Sequence, residues 1–161
     1  MDFTKEQIRE VAKVLDSLRY TRAGDMKGFE YTACGYIPDN KAPEGPWEIF
    51  PEGLRFGGRD QHFWFRKSFH TPKMREGFRL YFDLKTKEYE RDWDAVRPQV
   101  LVILNGHVTQ GLDINHRQVL LEPDTDYDMD LYFYCGMEEK KVQFLPSLVW
   151  LDEKIEKLYY D

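Results

Sequence analysis

The stretch VLVILNGHVT, residues 100–109, decides the fold that this sequence predicts. Residues 100–104 are apolar at every position, as expected of a strand that is covered on both faces. Asn105-Gly106 follows at once, and residues 107–109 begin a second strand-like run. Asn-Gly between two such runs is the strongest short-range hairpin signal, because a type I′ turn needs positive φ at both central residues. We therefore predict a β-hairpin centred on this dipeptide.

Alternating apolar and polar residues predict further strands on both sides of the hairpin. The clearest is Phe78–Lys85, and residues 62–69, 117–121 and 127–135 are also strand candidates. Weaker candidates are residues 31–36, 47–50 and 142–151. Pro146 in the last of these predicts an edge strand, because proline cannot donate to the hydrogen-bond ladder.

Helical patterns are confined to the two ends of the chain. Apolar residues at spacings of three and four predict an amphipathic N-terminal helix, with Thr4 as its N-cap and Gly24 ending it. The stripe consists of Ile8, Val11, Leu15 and Leu18. A second helical pattern begins at Asp152 and reaches residue 161 without a C-cap signal, which favours an excised domain.

These elements predict a mainly all-β fold. We expect a jelly-roll-like antiparallel β-sandwich with an N-terminal amphipathic helix and a short C-terminal helix. The absence of helices between the strands argues against a parallel α/β sheet. We divide the chain into an N-terminal helix (residues 1–23), a β-sandwich domain (residues 24–151) and the start of a linker helix toward an absent catalytic domain (residues 152–161).

Composition narrows the classes of partner. The chain has 161 residues, a net charge of −6 and no run of Lys or Arg, which argues against nucleic acid and anionic membrane surfaces as partners. There is no apolar run long enough for a transmembrane helix, and the N-terminus lacks the apolar region of a signal peptide. Cys34 and Cys135 are too few for a disulfide framework, so we expect buried, inert thiols and a cytoplasmic protein.

No catalytic pattern is complete. The G-x-S-x-G motif is absent, and neither cysteine has an obvious base. His62 and His70 are separated by about 26 Å of strand, so they cannot share one metal ion. His107 and His116, with Asp113 nearby, form only a weak zinc candidate, and polar residues that organise turns are the simpler interpretation.

Three segments together carry a family resemblance. They are FGGRDQHFWFRKSF (residues 56–69), PQVLVILNGHVTQGLDINHRQVLL (residues 98–121) and LVWLDEKIEKLYYD (residues 148–161). Their order resembles the N-terminal domain of the family 38 glycoside hydrolases, which are α-mannosidases, in the branch that contains cytosolic and bacterial enzymes. The most specific part is QGLDINH, residues 110–116, placed in register after Asn-Gly.

The resemblance implies a sandwich that precedes a catalytic barrel and a helical bundle. It also implies a parent enzyme that removes terminal α-linked mannose from oligosaccharides with a zinc ion and a retaining carboxylate nucleophile. The zinc motif of the family contains His-x-Asp, and none of the four histidines here is followed by that pattern. We therefore expect no catalytic residue and no cofactor in this chain, and zinc in the catalytic domain of the parent.

The predicted function is a non-catalytic accessory domain that packs on the catalytic domain of the same polypeptide. Candidate ligand or domain-interface residues are Trp93, Asn105, Gln110, Asp113, Asn115 and His116. For the matched polar residues we favour loop organisation and domain contact over direct substrate contact, because such side chains commonly bond the backbone of turns. Trp93 lies in a long loop, where it would stack on a sugar, contact a neighbouring domain or fold back onto the sandwich.

Two alternatives stay open at the level of sequence. A carbohydrate-binding module would place exposed aromatic rings along one groove, with Trp64, Tyr81, Trp93 and Tyr132 as candidates, so carbohydrate is the other candidate partner. A free-standing enzyme, such as a small lyase or a cupin-like metalloprotein, would require histidines and carboxylates that converge inside the sandwich.

Overall fold

A computed structural model describes residues 3–86, 98–113 and 116–160. Within these residues, two helices, α1 (Phe3–Arg19) and α2 (Glu153–Tyr160), flank ten strands. The strands are β1 (Tyr20–Asp25), β2 (Glu30–Cys34), β3 (Glu48–Ile49), β4 (His62–His70), β5 (Phe78–Lys85), β6 (Gln99–Leu104), β7 (His107–Leu112), β8 (Gln118–Leu121), β9 (Asp126–Tyr134) and β10 (Leu145–Asp152). The predicted mainly β sandwich with a helix at each end is confirmed.

The strands form two antiparallel sheets, and their strand order is that of a jelly-roll-like sandwich. The four-stranded sheet has the order β1-β10-β5-β8, and the six-stranded sheet has the order β3-β2-β4-β9-β6-β7. Four antiparallel pairs, β6–β7, β5–β8, β4–β9 and β1–β10, are nested around one turn between β6 and β7. The chain is therefore a long folded hairpin that is rolled into a sandwich, with β2 and β3 extending one edge.

One hydrophobic core lies between the sheets. The four-stranded sheet contributes Leu80, Phe82, Val119, Leu121, Leu148 and Trp150, and the six-stranded sheet contributes Phe63, Phe65, Val102, Met129, Leu131 and Phe133. Phe65 is fully buried, and its ring centroid lies 4.1 Å from that of Phe144 and 5.0 Å from that of Phe133. Aromatic packing thus explains much of the high aromatic content of the sequence.

The N-terminal helix is shorter than the sequence pattern predicts. It ends at Arg19, and the next six residues form strand β1, which pairs with β10 from Tyr20–Leu151 to Asp25–Ser147. Gly24 therefore lies in a strand, just after an irregularity in the register, and does not end the helix. The end of α1 is set by the pairing of β1 with the distant strand β10, which the apolar periodicity of residues 1–22 does not reveal.

The prediction that Pro146 marks an edge strand was wrong. Strand β10 lies inside its sheet, between β1 and β5. Pro146 is the second residue of β10 and is opposite Leu84 of β5, whereas the pairing with β1 stops at Ser147. On the β1 side the proline therefore lies beyond the paired segment, and its missing N–H interrupts no bond to that strand.

Truncation of Phe65 tests whether this ring is central to the aromatic core. We expect Phe65→Ala to lower the free energy of unfolding by about 3–5 kcal/mol, because it removes a fully buried ring and leaves a cavity. Urea denaturation would measure the change. Leu120→Ala is the control, because Leu120 is 55% exposed on strand β8, and it should change the free energy by less than about 0.5 kcal/mol. Equal losses in both variants would contradict the packing described above.

Candidate functional site

Asn105 forms the tip of the central hairpin and fastens it to a neighbouring strand. Both turn residues have positive φ, 51° for Asn105 and 80° for Gly106, as the sequence predicts. The side-chain Oδ1 of Asn105 accepts a hydrogen bond from the backbone N–H of Asp128 at 2.8 Å. The backbone N–H of Asn105 donates to the carbonyl oxygen of Asp128 at 2.9 Å. This candidate residue therefore binds the turn to β9.

Gln110 connects the two sheets. Its Nε2 donates to the carbonyl oxygen of Gln118 at 2.8 Å, which ties β7 to the first residue of β8. The side chain of Gln118 continues the network, because its Nε2 donates to Asp83 at 3.2 Å and its Oε1 accepts a bond from the Tyr20 hydroxyl at 3.1 Å. Asp83 is buried, so the network supplies a polar partner to a carboxylate that would be costly to bury alone.

Asp113 and His116 close the connection between β7 and β8. The Oδ1 of Asp113 accepts a hydrogen bond from the backbone N–H of His116 at 2.8 Å and lies 3.2 Å from its ring Nδ1. The backbone N–H of Asp113 donates to the carbonyl oxygen of His116 at 3.0 Å. These contacts organise the loop. The remaining two candidates, Trp93 and Asn115, lie outside the described residues.

The aromatic residues proposed for a sugar-binding groove do not meet in one. Trp64 is on the outer face of the six-stranded sheet but is only 1% exposed, and its Nε1 donates to Asp130 at 2.7 Å. Tyr132 lies beside Trp64, with ring centroids 5.5 Å apart, whereas Tyr81 belongs to the other sheet. Of the described candidates, Trp64 is thus buried, Tyr81 and Tyr132 are partly buried, and the three are divided between two sheets.

A second cluster lies on the same outer face, and of its members the sequence had predicted only Tyr132 as a sugar-contacting ring. We call it the outer aromatic patch, and it consists of Tyr36, Asp60, His62, Tyr132 and Tyr134. His62 stacks on Tyr132 and contacts the hydroxyl of Tyr132 through Nδ1 at 2.9 Å. The Tyr134 hydroxyl donates to Asp60 at 2.6 Å, and this bond raises the pKa of Tyr134. The available signal was two tyrosines on the outward side of β9.

The terminal helices present the clearest unpaired surface. Five large apolar side chains are 54–63% exposed, and we call them the apolar helix face: Ile8, Val11, Val14 and Leu18 of α1 and Leu158 of α2. Helix α1 contacts α2, β1 and β10, and its partly buried residues include Ala12 and Leu15. Of the predicted apolar stripe, only Leu15 is thus partly covered, and the remaining members face solvent.

The two cysteines are unsuited to nucleophilic chemistry. Cys135 is fully buried, and desolvation raises the pKa of its thiol to about 12. Burial also raises the pKa of Cys34, and both thiols are free. Cys34 is only partly buried, so the expectation of a buried thiol holds for Cys135 alone. The raised pKa of both thiols disfavours the thiolate that a nucleophile needs.

Among residues 3–86, 98–113 and 116–160, no group of three or more His, Cys, Asp or Glu side chains is arranged to hold a metal ion. In the same part of the chain, no helix has the length and apolar character needed to span a membrane. Neither a protein-family model nor a curated protein matches the chain.

An imidazole bridges two carboxylates at the end of β4. In His70, ring atom Nε2 lies 2.7 Å from Asp124 and Nδ1 lies 2.7 Å from Asp126. Hydrogen bonds to these carboxylates, first that to Asp124 and then that to Asp126, raise the pKa of His70. The protonated ring donates to both carboxylates, and this joins β4 to the segment that leads into β9.

The His70 bridge predicts a pH dependence of stability. Because the pKa of His70 is raised in the folded state, its contribution is present below the ordinary value of 6.5 and is lost as pH rises through the folded value. We expect the free energy of unfolding of the wild type to fall over this range, and His70→Gln to remove that fall. Urea denaturation at a series of pH values would measure it. His107→Gln should keep the wild-type slope, and a flat wild-type profile would contradict the bridge.

Proposed function

We propose that this chain is a non-catalytic accessory domain that packs on the catalytic domain of an α-mannosidase of glycoside hydrolase family 38. The observation that carries the proposal is the apolar helix face. The motif resemblance of residues 56–69, 98–121 and 148–161 supports the choice of family. The zinc ion and the carboxylate nucleophile would belong to the catalytic domain, and this chain would supply neither.

The apolar helix face has the chemistry of a protein contact. Scattered apolar residues are normal on a surface, but a row of large side chains along a single helix is typical of an interaction site. Full burial of each side chain of this size is worth about 1.5–3 kcal/mol. Because Val11, Val14 and Leu18 are 54–58% exposed, a neighbouring domain that covered them would gain roughly half of that value for each side chain.

Helix α2 is held firmly enough to act as the joint between two domains. Asp152 caps it, with Oδ1 accepting hydrogen bonds from the N–H groups of Lys154 at 3.0 Å and Ile155 at 3.3 Å. Arg79 of β5 reaches Glu156 at 2.5 Å and Glu153 at 3.6 Å. Because α2 is fixed to the sandwich at its first turn, a domain that follows it would have a defined position.

The hydrogen bonds of the motif residues fit the role of an accessory domain. Asn105, Gln110, Asp113 and His116 form hydrogen bonds with backbone groups of the described chain. The most specific part of the resemblance therefore coincides with residues that stabilise the jelly roll.

Free thiols at Cys34 and Cys135 support a reducing compartment, which we propose to be the cytoplasm.

Charge placed on the apolar helix face should weaken domain docking. We expect the chain to bind a separately produced family 38 catalytic domain, and Leu18→Asp to abolish binding because a carboxylate would be buried in an apolar contact. Analytical ultracentrifugation of the mixture would measure the complex. Ser17→Asp is the matched control, since it adds the same charge one residue away on the polar side of α1.

Two outcomes would oppose the proposal. Failure of the wild-type chain to bind the catalytic domain would contradict docking, and equal binding by both variants would remove the apolar helix face as its site. Circular dichroism of each variant would show that α1 is still formed, so that loss of helix is not mistaken for loss of contact.

Carbohydrate binding by the domain itself is the second candidate function. The outer aromatic patch supports it, because Tyr36 is 77% exposed beside His62, and Tyr134 pairs with the Asp60 carboxylate. Aromatic rings beside a carboxylate are typical of sugar sites, where rings stack on the sugar and the carboxylate accepts from its hydroxyls. The partial burial of Tyr132 and Tyr134 makes this surface weaker than the apolar helix face.

Calorimetric titration with mannose and a short α-mannoside separates the two functions. If docking is the function, we expect no saturable heat up to millimolar sugar. Saturable heat that disappears in Tyr134→Ala would favour the carbohydrate-binding module. Tyr127→Ala is the comparison, because Tyr127 is on the same strand but contacts the core side of the sheet.

A further inference from the structure

A cavity opens where strand β1 ends and strand β10 begins. Its volume is about 600 Å³, which is within the range of small-molecule sites. Phe29, Phe50 and Phe144 form an aromatic wall, and Met26 and Pro146 add further apolar surface. The Phe144 ring contacts the other two, with centroid distances of 5.1 Å to Phe29 and 5.3 Å to Phe50. The wall is therefore packed and already formed.

Charged side chains surround this aromatic wall. Arg22 is paired with Asp25, and Lys27 lies 3.9 Å from Glu52. These two ion pairs leave the fifth charged residue of the lining, Lys85, without an acidic partner in the part of the chain that the structure describes. The lining thus carries three cations and two carboxylates, with both carboxylates already paired.

We propose that this cavity binds a small organic anion with a flat apolar body. The apolar body would lie against the aromatic wall, and the anionic group would accept a charge-assisted hydrogen bond from the Lys85 ammonium group. A cationic ligand would be repelled by Lys85, and a neutral sugar would gain no charge-assisted hydrogen bond from it. Charge complementarity and the apolar wall therefore favour the same class of ligand.

This site is independent of the accessory-domain proposal. Ile8, Val11, Val14, Leu18 and Leu158 of the apolar helix face are absent from the cavity lining, and so is the outer aromatic patch. Failure of docking would leave ligand binding intact, and failure of ligand binding would leave docking intact.

The probe that tests the cavity is 2-naphthoate, and calorimetry with the whole chain would measure its binding. We expect saturable binding that weakens roughly tenfold in Lys85→Gln, because one charge-assisted hydrogen bond is lost. Lys73→Gln removes the same charge from an exposed position outside the lining and should bind as the wild type does. The neutral analogue 2-naphthylmethanol should bind the wild type about as weakly as naphthoate binds Lys85→Gln.

Filling the cavity provides a second variant. Ser147 is a partly buried lining residue, and Ser147→Trp should abolish naphthoate binding by occupying the space. Thermal denaturation would show that this variant is folded. No saturable binding of 2-naphthoate to the wild type would overturn the proposal. Binding that is unchanged in both Lys85→Gln and Ser147→Trp would place the ligand elsewhere and would overturn it equally.

Discussion

The turn at Asn105-Gly106 is the constraint on which the rest of the structure depends. It lies at the centre of four nested antiparallel pairs, so every later pairing brings together segments that are farther apart in the sequence. Positive φ at both turn residues sets the register of β6 and β7. The bond from the Asp128 N–H to the Asn105 side chain then fixes β9 against the hairpin tip, and with it the partner strand β4.

The folding of the long hairpin into a sandwich determines which side chains are buried and which remain exposed for binding. Its two sheets enclose one aromatic core, and the polar residues of the motif that follows the turn are engaged in holding the β7–β8 connection. The terminal helices lie outside this arrangement, and five of their described large apolar side chains are exposed to solvent. The described residues thus combine a closed scaffold with an exposed apolar face, and the docking proposal rests on that face.

Much of this fold could be predicted because local signals and tertiary structure agree. The Asn-Gly turn, the alternation in β5 and β9 and the apolar run of residues 100–104 in β6 all have the positions that periodicity indicates. The sequence could not show that residues 20–25 form a strand, because their partner β10 lies about 130 residues away. Nor could it show that the strand with Pro146 is internal, because that depends on β1 ending its pairing at Ser147, one residue after the proline.

The candidate site was harder to predict than the fold. Alternation places Trp64 correctly on the outer face, but its burial depends on Tyr132 and Asp130, and on the loop after β2, whose Ile37 N–H donates to the Tyr132 hydroxyl. The outer aromatic patch needs His62 opposite Tyr134, a cross-strand register that no single segment contains. Exposure of the α1 stripe likewise depends on what α1 packs against.

Hydrogen–deuterium exchange of the two helices tests the docking account most directly. The backbone amides of α1 and α2 would be followed by mass spectrometry in the isolated chain and in a mixture with a family 38 catalytic domain. The account predicts slower exchange in both helices on mixing, with the amides of the outer aromatic patch unchanged. Equal exchange of the helices in the two samples, or protection confined to the outer aromatic patch, would contradict it.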